Sequence, residues 1–127
     1  MNQLTKVILY TDENGRSRFR EEKLGLSEGT PQIQTTALAP CKASQFRYSP
    51  VGFYFDFHCS DRPLWVVVLQ GEMEISLQDG SSRAFKPGDC FFAENLLPEG
   101  AEFDSAIHGH TSRQVGPDPL VTLFVDV

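Results

Sequence analysis

Three histidines, His58, His108 and His110, are the residues of this chain best suited to chemistry. His108 and His110 are separated by one glycine, so in an extended segment both imidazoles face the same way and can chelate a divalent ion. His58 lies on a segment, Val51 to Cys59, whose strict alternation puts Tyr54, Asp56 and His58 on one face and Phe53, Phe55 and Phe57 on the other. Imidazoles with a carboxylate nearby, for which Asp56 is the candidate, suit zinc, iron, manganese or nickel. Tyr54, Arg62, Arg83 and Arg113 are placed to hold a carboxylate ligand. Each residue also has a plainer role. His58 beside Asp56 and Asp61 can be one polar member of a hydrogen-bonded barrel mouth, His108 a solvated loop residue, and the arginines a solvated surface.

Short strands must position these groups. Lys6 to Thr11 reads as a strand, Asp12-Glu13-Asn14-Gly15 as a tight turn and Ser17 to Glu21 as the returning strand, an edge hairpin or an arm that packs on a second subunit. Leu24 to Pro31 reads as a loop, and Ile33 to Leu38 and Phe46 to Ser49 as strands. Leu64 to Leu69 is an uninterrupted apolar run, expected of a strand covered on both sides, and Glu72 to Leu77 alternates after Gly71. Arg83 to Phe85, Asp89 to Ala93 and Val121 to Val127 follow, with Asn95 to Ile107 as a long connection of the kind that forms a lid or mouth loop. Turn formers at such short intervals leave no room for a helix of ordinary length.

At 127 residues the chain suits one domain. We divide it into N-terminal strands or arm, 1–45, and barrel core, 46–127. A formal charge of −6 argues against nucleic acid and anionic membrane surfaces as partners. No run is apolar enough for a signal peptide or a bilayer span, so a cytoplasmic protein is expected. Three cysteines at unrelated spacings read as reduced thiols, and Cys59 and Cys90 have no evident activating base. Glu72 and Glu74 read as a solvated outer face, Asp89 as a turn residue, and Trp65 as core or interface.

The stretch from Leu64 to Glu94 adds a family likeness. Val68-Leu69-Gln70-Gly71-Glu72-Met73-Glu74-Ile75, an Asp79-Gly80 turn and Phe85-Lys86-Pro87-Gly88-Asp89 together resemble the central hairpin of the cupin superfamily. The resemblance runs from Pro50 to the end of the chain and implies an all-β fold, a cupin-type double-stranded β-helix, or jelly-roll-like barrel, of six to eight strands. It also implies a metal centre, which this sequence matches only in part. Counting back from Gly71, the glutamate position falls on Leu64, and the double-histidine positions fall around Phe57 to Ser60, where only His58 can serve. Gly109-His110-Thr111 is the nearest match to the second motif, which favours His110 over His108.

Two functions therefore lead, with a protein-interaction module that uses the acidic surface as a third. In one, His58 and His110, helped by His108 and Asp56, hold a divalent metal for oxygenase, isomerase or lyase chemistry on a small acid or sugar. In the other, Leu64 marks a lost metal centre and the barrel holds a small apolar or anionic ligand, with Tyr54, Asp56 and Arg113 as candidate contacts. The partners expected are a small-molecule ligand or substrate and a second copy in a homodimer formed through edge strands and the aromatic outer face.

Overall fold

A computed structural model describes residues 2–127. Among the described residues the chain forms twelve strands and no helix. In chain order these are β1 (Gln3–Thr11), β2 (Ser17–Gly25), β3 (Glu28–Gly29), β4 (Gln34–Thr35), β5 (Ala43–Ser49) and β6 (Tyr54–His58), then β7 (Leu64–Gln70), β8 (Glu72–Ser76), β9 (Ser82–Phe85), β10 (Cys90–Glu94), β11 (His110–Val115) and β12 (Leu120–Asp126). Among the described residues no helix is long and apolar enough to cross a membrane.

Ten strands make two facing sheets. The larger is ordered β2-β1-β10-β7-β12-β5 and the smaller β6-β11-β8-β9, while β3 and β4 pair only with each other. Alternation decides what fills the space between. Leu64, Val66 and Val68 of β7 meet Met73 and Ile75 of β8 and Phe91 and Ala93 of β10 in one buried cluster. The residues between them, Trp65 and Val67, face out of the larger sheet. Asp89 closes the turn before β10, accepting the Lys86 backbone N–H at 2.8 Å. This two-sheet, jelly-roll-like barrel is the all-β, cupin-type fold that the Gly71 and Pro87-Gly88-Asp89 resemblance implies.

Several elements differ from expectation. The N-terminal hairpin runs from Gln3 to Gly25, longer than its polar ends suggest, and only β2 is an edge. β1 lies inside the sheet, parallel to β10, and sends Val7 and Leu9 into the core, so the hairpin is part of the barrel rather than an arm. Its turn is held by Asp12, whose Oδ1 accepts the Asn14 and Arg16 backbone N–H groups. Ile33 to Leu38 shrinks to the two-residue β4, which among the described residues pairs with β3 over two residue pairs. The loop expected over Leu24 to Pro31 contains the end of β2 and all of β3. β6 is shorter than Val51 to Cys59 because a turn at Val51 and Gly52 precedes it.

Candidate functional site

A cavity of about 160 Å³ opens at one end of the barrel. Its walls come from both sheets: Leu64 and Val66, Met73, Phe91 and Ala93, Ser112, and Phe124, closed on the β6 side by Phe53 and Phe55. His58 and His110 reach it from adjacent strands, and Arg47, Asp61 and Arg62 line its exposed rim.

The two imidazoles meet through a local irregularity. His110 is the register partner of His58, yet Ser112 is the partner of Phe55, so β6 carries one extra residue against β11. Such a bulge reverses alternation beyond it. Phe55 and His58 therefore share the cavity side, with ring centroids 4.2 Å apart, although simple alternation separates them. The His58 and His110 centroids lie 4.4 Å apart with planes at 53°.

Each ring is oriented at Nδ1. His58 Nδ1 lies 2.7 Å from the Asp56 carbonyl oxygen, which can only accept, so Nδ1 carries the proton and Nε2 keeps a lone pair. His110 Nδ1 lies 2.7 Å from Asn95 Nδ2, which donates to it, so the proton of His110 is on Nε2. Asn95 is wholly buried and fully engaged: it also donates to Ser17 Oγ at 2.9 Å and accepts from Ser60 Oγ at 2.8 Å. Burial pushes the His110 pKa down to about 3, with His58 nearby adding to the effect. Burial also lowers His58, against the opposing pull of its bond to Asp56 and of the Asp56 charge. Both rings are consequently neutral at pH 7, and the cavity presents one acceptor nitrogen and one donor N–H.

His108 is not part of this pair. It is buried rather than solvated, its Nδ1 accepting the Asp104 backbone N–H at 2.9 Å and its ring lying against Gly15. Gly109 between the histidines has φ +86°, a left-handed conformation that breaks the extended alternation on which a shared face depends. Position 109 also has no room for a Cβ, which would stand 2.5 Å from the His58 carbonyl oxygen.

Tyr54, Asp56 and Arg113 lie away from the cavity. Tyr54 and Arg113 are register partners, and Arg113 donates to Glu74 on β8 at 2.8 Å, so these residues form a row on the outer face of the smaller sheet. The Asp56 carboxylate accepts the Phe57 backbone N–H at 2.8 Å instead of joining His58 inside. Arg83 is paired outside with Glu21. Of the arginines singled out by sequence, Arg62 alone reaches the rim, where Asp126 and Asp61 neutralise it at 2.7 and 2.9 Å.

Arg47 was not apparent in the sequence. It lies 3.8 Å above the Phe124 ring and donates to Gln45, and among the described residues no carboxylate comes within ion-pairing distance. Its signal was the alternation of Phe46, Arg47 and Tyr48, which turns Arg47 to the side opposite two outward aromatic rings.

A divalent metal fits this donor set poorly. His58 and His110 are the two imidazoles present, the glutamate position is Leu64, His108 is turned away, and no group of three or more His, Cys, Asp or Glu gathers among the described residues. The expected three-nitrogen centre is therefore not assembled. Cys59 lines the cavity, but burial raises its pKa and keeps it a thiol, and burial with Asp89 does the same for Cys90. All three cysteines are unpaired.

Neither a protein-family model nor a curated protein sequence matches the chain. Among solved structures it is similar to the Schizosaccharomyces pombe Cnp3 cupin domain, at 15% identity and TM-score 0.47, over 98% of this chain and 83% of that one. It is also similar to KdgF from Halomonas sp., at 23% identity and TM-score 0.44, over 72% of this chain and 74% of that one. A putative ethanolamine utilization protein Q from Salmonella typhimurium aligns at 17% identity and TM-score 0.41, over 99% of this chain and 97% of that one.

Proposed function

We propose that the barrel is a metal-free receptor for a small organic acid that has an apolar body, an anionic group at the rim and a hydroxyl or similar group at the inner end. The observation that carries this reading is the pair of neutral imidazoles, His58 and His110, closing one end of an apolar cavity whose rim bears the uncompensated Arg47.

Size bounds the ligand. A cavity of about 160 Å³ is close to the ~150 Å³ that accepts benzene, so one ring or a short branched chain fits, with its charged substituent extending past the rim. Chemistry orders it. A hydroxyl can donate to the free Nε2 of His58 and accept from the Nε2–H of His110, satisfying both at once. A carboxylate there would meet only one donor, and its charge would be poorly solvated among Leu64, Val66 and Phe91. At the rim, guanidinium and carboxylate can form a forked pair. Arg62 is already committed to Asp126 and Asp61, which leaves Arg47 for that role.

The experiment is a matched titration of 4-hydroxybenzoate, benzoate and phenol into chelator-dialysed protein by calorimetry. The hydroxy acid binds more tightly than either fragment analogue. Arg47→Gln reduces its affinity to that of phenol, and His110→Phe abolishes its advantage over benzoate. Equal affinity for all three would refute the polar ends assigned to the cavity.

A further inference from the structure

We infer that the two-imidazole end of the cavity is also catalytic, interconverting a ketone and its enol in a small keto acid whose carbonyl lies remote from its carboxylate. This activity rests on the binding mode proposed for the cavity and adds a proton transfer to it.

The two ring nitrogens offered to the ligand differ in kind. His110 Nε2 carries a proton and His58 Nε2 a lone pair, because Asn95 and the Asp56 carbonyl hold the opposite nitrogens. Among the described residues no buried side-chain nitrogen or oxygen lacks a partner, and Nε2 of the buried His110 has none in the protein, so it opens into the cavity that the ring lines. An enol hydroxyl uses both nitrogens, accepting from His110 and donating to His58. The oxygen of a ketone only accepts, so it uses His110 alone and leaves His58 Nε2 unpaired. The site is therefore more complementary to the enol than to the ketone, and interactions that strengthen as a reaction proceeds are those that accelerate it.

The proton path needs no other reagent. His58 Nε2 takes a proton from the carbon beside the carbonyl. The C–H electron pair becomes the C=C bond, and the C=O π pair moves to oxygen, where the His110 N–H meets the growing charge. His58 is then an imidazolium, its Nδ1–H still on the Asp56 carbonyl, and it returns to neutrality by giving its Nε2 proton to that oxygen. The apolar walls of Leu64, Val66 and Phe91 strengthen the His110 bond to the oxyanion. With its pKa pushed down to about 3, His110 stays neutral throughout and acts as a donor rather than a proton carrier. His58 suits the base: burial lowers it, the bond and charge of Asp56 pull the other way, and the ring is only partly buried.

Shape sets the substrate class. The carbonyl sits at the inner end and the carboxylate at Arg47 on the rim, so an apolar body must separate them. Acids with the carbonyl next to the carboxylate cannot reach both ends. One six-membered ring matches the volume of about 160 Å³.

Proton NMR of 4-oxocyclohexanecarboxylate in heavy water, with chelator-dialysed protein, tests this. The hydrogens beside the ketone exchange for deuterium about a hundredfold faster, or more, than with free imidazole at the same concentration. 4-Hydroxybenzoate, which has the hydroxyl of a permanent enol, inhibits the exchange competitively at the concentration at which calorimetry shows it to bind. His58→Gln loses the exchange, while the keto acid, which as a ketone uses His110 alone, still binds. Keto acid binding with exchange no faster than imidazole gives would overturn the catalysis and leave the receptor standing. So would a keto acid that fails to bind where 4-hydroxybenzoate does, or exchange that ignores either 4-hydroxybenzoate or His58→Gln. Binding of neither acid would sink both the receptor and its chemistry.

Discussion

His58 and His110 are held side by side, with tilted rings, by different partners, a backbone carbonyl for one and a buried amide for the other, with ring centroids 4.4 Å apart. The pair depends on two backbone features, the extra residue in β6 and the left-handed Gly109. Its chemistry is that of two neutral rings with complementary free nitrogens.

Gly109→Ala is expected to be costly. The new methyl both strains φ and collides with the His58 backbone, so the loss is roughly 3 kcal/mol or more. Gly88→Ala has an equally positive φ but open space around it and loses only about 1–2 kcal/mol. Urea midpoints compare the two, and equal losses would remove the close approach from the account.

Asn95→Ala leaves Ser17 Oγ, Ser60 Oγ and His110 Nδ1 without their shared partner. A loss of about 3 kcal/mol is expected, since each buried unpaired polar group costs about 1–3 kcal/mol. Asn95→Asp instead places a carboxylate against the ring and raises the His110 pKa from about 3. Imidazole NMR titration reads that shift directly, and an unmoved His110 would contradict the contact.

Acid sensitivity follows from the same ring. His110 titrates near 6.5 when unfolded and near 3 when folded, so between these values the unfolded chain binds more protons. Stability is full above pH 6.5 and falls as pH drops toward 3, with a slope of up to about 1.4 kcal/mol per unit from this group. His58, also lowered, adds in the same direction. His110→Asn flattens the urea-midpoint profile between pH 6.5 and 4.5. A profile unchanged by the replacement would assign the acid loss to other groups.

Much of the barrel was legible because β7, β8 and β10 have no competing pattern: an apolar run or clean alternation bounded by glycine and proline turns leaves one reading. Legibility failed where one residue changes the phase. Extended alternation assigns Phe55 and His58 to opposite faces and His108 and His110 to the same face, and the bulge and Gly109 reverse both. A bulge has no dependable signature in a single sequence, whereas a glycine between two candidate ligands is a visible warning. Leu64 was readable from the start as an apolar side chain at the glutamate position, with no lone pair to offer a cation. Arg47 stayed hidden because its value depends on what surrounds it, and its lack of a carboxylate partner is a property of the folded chain.

The most direct measurement is calorimetric titration of 4-hydroxybenzoate into protein stripped with chelator, repeated after incubation with zinc, iron(II), manganese and nickel and after elemental analysis of each sample. Saturable binding by the metal-free protein, roughly millimolar to micromolar for so small a ligand, unchanged by added metal and weakened to the level of phenol in Arg47→Gln, is the predicted result. Stoichiometric metal uptake that His110→Ala removes, with ligand binding seen only in the loaded protein, would contradict the account and restore a metal centre to this barrel.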